Sequence, residues 1–120
     1  IIRSQLQAGQ DCAEFYCRNK LRDYGILTTG DFIAFGMYDY FGRKNLLPGK
    51  DFHLVSYDNF EGLISKEQLH LGITSIVHPQ EACCKAVIAL LESLVRCPST
   101  KEYYQVYVVP SQEIVIRNSL

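Results

Sequence analysis

Ile26-Leu27-Thr28-Thr29-Gly30-Asp31 and Phe52-His53-Leu54-Val55-Ser56-Tyr57-Asp58-Asn59 frame the stretch whose reading decides the fold. Each is a β-prone run that closes on small or turn-forming polar residues. Between them, Asp31 suits a helix start, and Ile33, Met37 and Phe41, with Ala34 and Tyr38 beside them, form one apolar stripe at helical spacing. Leu46-Leu47-Pro48-Gly49-Lys50 then reads as a turn. Strand, helix and strand in that order predict a parallel crossover unit, because two parallel strands need a connection long enough to return along the sheet.

Outward from this unit the pattern continues. Ile1 to Gln7 reads as a short strand ended by Ala8-Gly9, and Gln10 to Arg22 as a helix with Ala13, Cys17 and Leu21 four apart. Phe60 to His70 lacks a period and reads as a loop with a short helical turn, and the β-branched run from Leu71 to Val77 reads as a strand. His78-Pro79-Gln80-Glu81 opens a helix with Pro at its first position. Its apolar face is Cys83, Val87, Leu90, Leu91 and Leu94, and Pro98 stops it. Tyr103 to Val109 and Glu113 to Arg117 read as two closing strands. The expected class is α/β, a parallel Rossmann-like sheet flanked by helices.

With 120 residues there is room for one full-sized domain, and 48% hydrophobic against 21% charged residues excludes intrinsic disorder. Twelve Lys plus Arg against 13 Asp plus Glu leave a formal net charge of −1. That balance supplies no positive field with which this chain by itself would hold nucleic acid. No run approaches the ~20 apolar residues of a membrane span. Ile1-Ile2-Arg3-Ser4 lacks the regions of a signal peptide, and the only Met is Met37. We therefore read residues 1–120 as a piece of a longer cytoplasmic protein. Cys12, Cys17, Cys83, Cys84 and Cys97 make an odd count, and the adjacent pair cannot face one partner. Reduced thiols are expected, with no zinc set, no other metal and no cofactor.

In a parallel α/β sheet, ligands gather at the carboxyl ends of strands, where loops diverge and helix starts offer unpaired N–H groups. Gly30-Asp31, Asp58-Asn59 and His78 each follow a β-prone run. Structural roles are open to the same residues: Asp31 as a helix cap, Asp58 in an Asx-type turn, His78 before a helix-starting Pro. Catalysis finds less support. There is no nucleophile elbow, phosphate loop or H-E-x-x-H, and His53, His70 and His78 lack local metal spacing. A phospho-accepting Asp would need an acidic pair after the first strand, which is absent, so no enzyme is expected.

Gly30-Asp31-Phe32-Ile33-Ala34-Phe35-Gly36, followed by Leu46-Leu47-Pro48-Gly49-Lys50-Asp51 and Leu54-Val55-Ser56-Tyr57-Asp58-Asn59, resembles the effector-binding domain of lactose-repressor-type (LacI/GalR) regulators. The family pattern there is N-D-x-x-A-x-G, then V-P-x-D and V-V-G-F-D-[DN]. Ile73-Thr74-Ser75-Ile76-Val77-His78-Pro79 is similar to its L-T-T-[VI]-x-[QH]-P, and Ile114-Val115-Ile116-Arg117-Asn118-Ser119 to its closing L-V-V-R-x-S. Three positions depart: Gly30 stands for the family's Asn, Ser56 for a Gly, and Leu47 for a Val. The change at Gly30 removes an amide that members use on the ligand.

The resemblance implies one lobe of a type I periplasmic-binding-protein-like domain, the carboxy-terminal half of a two-lobed sensor. Residues 1–120 would then lack most of the first lobe and the amino-terminal head through which operator DNA is bound, of lactose-repressor or GntR type. The helix from Pro79 would belong to the first lobe. The expected effector is a sugar or sugar derivative held by Asp58, His78, Gly30 and Asp31 in an interlobe cleft. A periplasmic sugar-binding protein of a transporter shares the lobes and is the alternative. On the helix that starts near Asp31, the stripe leaves Phe32, Phe35 and Asp39 on the opposite side. Either the Phe60–His70 loop covers the two rings or they form the interface of a homodimer, which the resemblance favours.

Overall fold

The computed structural model describes residues 1–63, 71–96, 108–110 and 113–120. The elements are α1 (Ile2–Arg18), β1 (Ile26–Leu27), α2 (Asp31–Arg43), β2 (Leu54–Asp58), a 3-10 turn (Phe60–Leu63), β3 (Thr74–Val77), α3 (Gln80–Arg96) and β4 (Ile114–Val115). They fall into two compact units, Ile1–Val77 with Glu113–Leu120, and His78–Gln112.

The first unit is mixed α/β around an open sheet in the order β1-β2-β3-β4. β1 and β2 run parallel with Ile26 opposite Leu54, and β2 and β3 run parallel from Val55↔Thr74 to Asp58↔Val77. The fourth strand corrects the all-parallel expectation. β4 is antiparallel to β3, pairing Ser75 with Val115 and Ile76 with Ile114, and it stops two residues short of Arg117. Beyond it, side chains replace the ladder. The Ser119 hydroxyl donates to the Leu54 carbonyl at 2.6 Å and accepts from the Thr74 amide at 2.7 Å, and the Leu54 amide donates to the Ser119 carbonyl at 2.8 Å. This stitch closes the amino ends of β2 and β3. β3 is likewise shorter than the expected Leu71–Val77, since the Gly72 and Ile73 amides donate to the buried Glu61 carboxylate at 2.8 and 3.0 Å.

The amino terminus overturns a second expectation. Of the residues expected to form a strand, Ile1 to Gln7, all but the capping Ile1 belong to α1, which is one helix through Gly9 to Arg18. The β-branched start and Gly9 suggested a strand and a breaker. What decides is the stripe Leu6, Gly9, Ala13 and Tyr16, which lies against α2 at a crossing too close for side chains: a Cβ on Gly9 would stand 2.1 Å from the Ile33 carbonyl oxygen, and one on Gly36 2.1 Å from that of Leu6. Helix α1 ends at Arg18 rather than Arg22 because Lys20 takes the left-handed conformation (φ 54°), with its amide on Cys17 and that of Leu21 on Tyr16. Asn45 (φ 56°) ends α2 in the same way, through Gly42 and Phe41.

The core lies between α1, α2 and the sheet and comprises Ala13, Tyr16, Ala34, Met37, Phe41, Phe52, Leu54 and Ile73. Met37 and Phe41 of the expected stripe are buried, while Ile33 is half-buried. Phe41 packs on Phe52 with ring centroids 4.2 Å apart and meets Tyr16 edge-on at 5.8 Å.

In the second unit the described part is mainly α3. None of its residues is buried, and Val87, Leu91 and Leu94 of the expected apolar face are more than half exposed. Pro98, Cys97 and most of the strand expected at Tyr103–Val109 lie outside the described residues, as does the greater part of the Phe60–His70 loop. No helix among the described residues is long and apolar enough to cross a membrane.

Candidate functional site

Strand alternation along Leu54-Val55-Ser56-Tyr57-Asp58 puts Leu54, Ser56 and Asp58 on one face; Leu54 and Ser56 are buried on it, whereas Asp58, at the carboxyl end of β2, is exposed. The chain then turns through two consecutive non-glycine residues of positive φ, Asp58 at 106° and Asn59 at 55°. Such conformations cost about 1–3 kcal/mol each and persist only when their surroundings fix them.

Buried polar residues under the turn do the fixing. Asp31, 2% exposed, accepts hydrogen bonds from the Ser56 hydroxyl and the Phe60 amide, with a longer one from Ser75 Oγ at 3.4 Å. Ser75 Oγ in turn accepts from the Asn59 amide at 2.9 Å, and Thr28 Oγ1 donates to Ser56 Oγ at 3.0 Å. The four residues come from the end of β1, the start of α2, and the middles of β2 and β3. Parallel pairing brings them together, and their mutual bonds offset the cost of burying them.

A second set of contacts holds the turn from its other side. Arg117 Nη2 donates to Asn59 Oδ1 at 2.7 Å, Nη1 to the Ile73 carbonyl at 2.5 Å, and the Arg117 amide to Thr74 Oγ1 at 2.8 Å. Gly62 closes on the same amide group: a Cβ there would stand 2.5 Å from Asn59 Nδ2.

Of the residues expected at the site, Gly30 and Asp58 meet at this edge. Asp58 Oδ2 lies 3.5 Å from the point where a Gly30 Cβ would stand. Asp31 is directed inward and does not cap α2; Gly30 is the cap residue and the Asp31 carboxylate is engaged by the sheet. Its place is therefore under the site rather than on its surface. His78 follows Val77, the partner of Asp58 in the ladder, and is the exposed first residue of the second unit.

Phe32 and Phe35 are half-buried and share an aromatic cluster with Phe60, at 5.1 and 6.5 Å between centroids. The turn that carries Asp58 thus also supplies a ring that packs against them. Asp39 is on the surface and joins the two helices, accepting from Gln10 Nε2 at 2.6 Å and from Arg43.

Sequence reading missed Thr28, Ser75, Arg117 and Gly62 as parts of the site and took Ser56 only as a departure. One signal was available: a serine in register with Leu54 on the buried face of a strand has to find a polar partner. Arg117 gave no such signal, because its acceptor is 58 residues away.

An exposed carboxylate beside an open glycine accepts hydrogen bonds from two vicinal hydroxyls, and the bonds are strengthened by its charge. Among the described residues no group of three or more His, Cys, Asp or Glu could hold a metal ion. An apolar groove of about 430 Å³ also runs between α1, β1 and α2, past Phe15, Tyr24 and Leu27. It has no carboxylate or cationic side chain with which to orient a polyol. Comparisons with protein-family models, with curated proteins and with solved structures find no match.

Proposed function

We propose that this chain is the ligand-sensing part of a cytoplasmic bacterial transcription regulator of the lactose-repressor type, and that Asp58 receives the hydroxyls of a sugar or sugar derivative. The observation that carries this reading is the Asp58–Asn59 turn, a positive-φ pair fixed by buried polar residues so that a carboxylate stands at the carboxyl edge of a parallel pair of strands. Strain of this kind, supported from below, is what a ligand-presenting loop requires, whereas a plain connection would relax. The sequence resemblance supplies the biological setting. Capture of a polyol on this edge would favour one lobe orientation of a two-lobed domain and so change the spacing of DNA-binding heads. Enzymatic turnover has no part in this scheme.

The test is a thermal-shift series on the intact protein with D-glucose, D-galactose, D-ribose and D-glucose 6-phosphate, since a ligand at about 100 times its Kd stabilises the native state by about 2.7 kcal/mol. At least one sugar is expected to raise Tm saturably. Asp58→Asn keeps the shape but removes the charge and one acceptor, and should weaken that sugar at least about tenfold. A panel without effect, or a response from Asp58→Asn equal to that of wild type, would overturn the reading.

A further inference from the structure

We infer that Arg117 and Gly62 are positioning residues for Asp58: the arginine fork and the missing side chain lock the Asn59 amide, and with it the left-handed turn that presents the Asp58 carboxylate. The binding consequence rests on the function proposed above; the geometric one does not. Three backbone contacts tie the turn to its surroundings, namely the Asn59 amide on Ser75 Oγ, the Phe60 amide on Asp31, and the Gly62 amide on the Asn59 carbonyl at 3.0 Å. They leave the Asn59 side chain undetermined. Arg117 determines it, and Arg117 is itself held, since its Nη1 donates to the Ile73 carbonyl and its backbone amide to Thr74 Oγ1 at the start of β3.

The guanidinium is anchored through Nη1 on the Ile73 carbonyl, and the Asn59 side-chain oxygen Oδ1 sits 2.7 Å from its Nη2. Beside the same amide group, Gly62 leaves space that any Cβ would remove, at 2.5 Å from Nδ2 and 3.0 Å from Cγ and Oδ1. The Asn59 amide is therefore gripped by a residue three positions on and by one near the carboxyl end of the chain. Without that grip, two adjacent positive-φ residues would relax toward ordinary backbone and carry the Asp58 carboxylate away from Gly30.

A different role for Arg117 is a staple that only fastens the last strand to β3. Gly62→Ala separates the two, because it displaces Asn59 while leaving the Arg117 contacts to Ile73 and Thr74 in place. Gly62 is not in the left-handed region, so alanine fits its backbone. The measurements are the three-bond HN–Hα couplings and Cα shifts of Asp58 and Asn59 by NMR, with the same four-sugar thermal-shift panel, on intact wild type, Gly62→Ala, Arg117→Gln and Arg117→Lys.

In folded Gly62→Ala and Arg117→Gln the couplings should move toward negative φ. The affinity for whichever panel sugar stabilises wild type should drop roughly tenfold, with partial return in Arg117→Lys. Unchanged couplings in folded Gly62→Ala would overturn the inference, and this variant decides the matter if Arg117→Gln fails to fold. Couplings that move while the sugar response stays at wild-type strength would uphold the positioning and retire Asp58 as a sugar contact.

Discussion

Tyr38 is half-buried on α2 with its ring edge-on to Phe52 at 5.5 Å, and its buried hydroxyl makes no hydrogen bond of standard geometry among the described residues. Burial pushes its pKa from the usual 10.0 up to about 12; the Ser119 hydroxyl works against the rise and the Glu61 carboxylate adds to it. The folded chain thus keeps the phenol proton where the unfolded chain loses it. The contribution to stability is complete below pH 10 and is lost as pH rises from 10 through about 12. The urea midpoint is expected to stay level on this account up to the lower value and then fall, and Tyr38→Phe should flatten that fall. At neutral pH the same variant retains the ring packing and deletes a hydroxyl without a well-formed hydrogen bond, so we expect it to match wild type or exceed it by up to about 1 kcal/mol in urea denaturation. Asp31 is the contrasting case, a buried carboxylate whose oxygens are engaged by Ser56 and Phe60.

The α1–α2 crossing depends on paired glycines. The atoms that a Cβ would strike, the carbonyl oxygens of Ile33 and Leu6, are backbone, so relief requires the helices to separate and to loosen Ala13, Ala34 and Met37 with them. Gly9→Ala and Gly36→Ala are each expected to destabilise by about 2–3 kcal/mol in chemical denaturation, and the double variant by less than the sum, since the helices part only once. Gly42→Ala is the control. Nothing lies within 4 Å of its Cβ position, and a helical glycine replaced by alanine gains about 0.5–1 kcal/mol. The sequence made Gly9 look like the end of an element. A glycine that ends a helix and one that lets a second helix approach have the same local pattern, and only the partner distinguishes them.

At the scale of the whole molecule, the two units differ in how their elements are supported. β2 and β3 carry core side chains or are flanked by them, and their amino ends are tied by Ser119. α3 buries no residue, and its ion pairs, Lys85–Glu81 at 2.6 Å and Arg96–Glu92 at 3.8 Å, are exposed. Pairs of that kind add only about 0.3–0.5 kcal/mol each, and a 17-residue helix without a packed face is marginal in water. In hydrogen exchange of the 120-residue chain, the amides of α3 should therefore exchange far faster than those of β2. Protection of α3 equal to that of β2 would show its apolar face to be covered.

The sequence by itself determined the strand–helix–strand order from Ile26 to Asp58, the buried positions of Met37 and Phe41, and the placing of Gly30 and Asp58 at strand ends. These features rest on local period and turn chemistry, which act over a few residues. Only the tertiary structure decided that Ile2 to Gln7 is helical, that β4 runs antiparallel, that Asp31 faces inward, and that Arg117 reaches Asn59. Each of these depends on a partner distant in the chain: a helix backbone against Gly9, a strand beside β4, two serines under the turn, an asparagine 58 residues back. Local propensity is silent on such pairs, because the free energy that selects them arises when the chain folds and those groups leave water together.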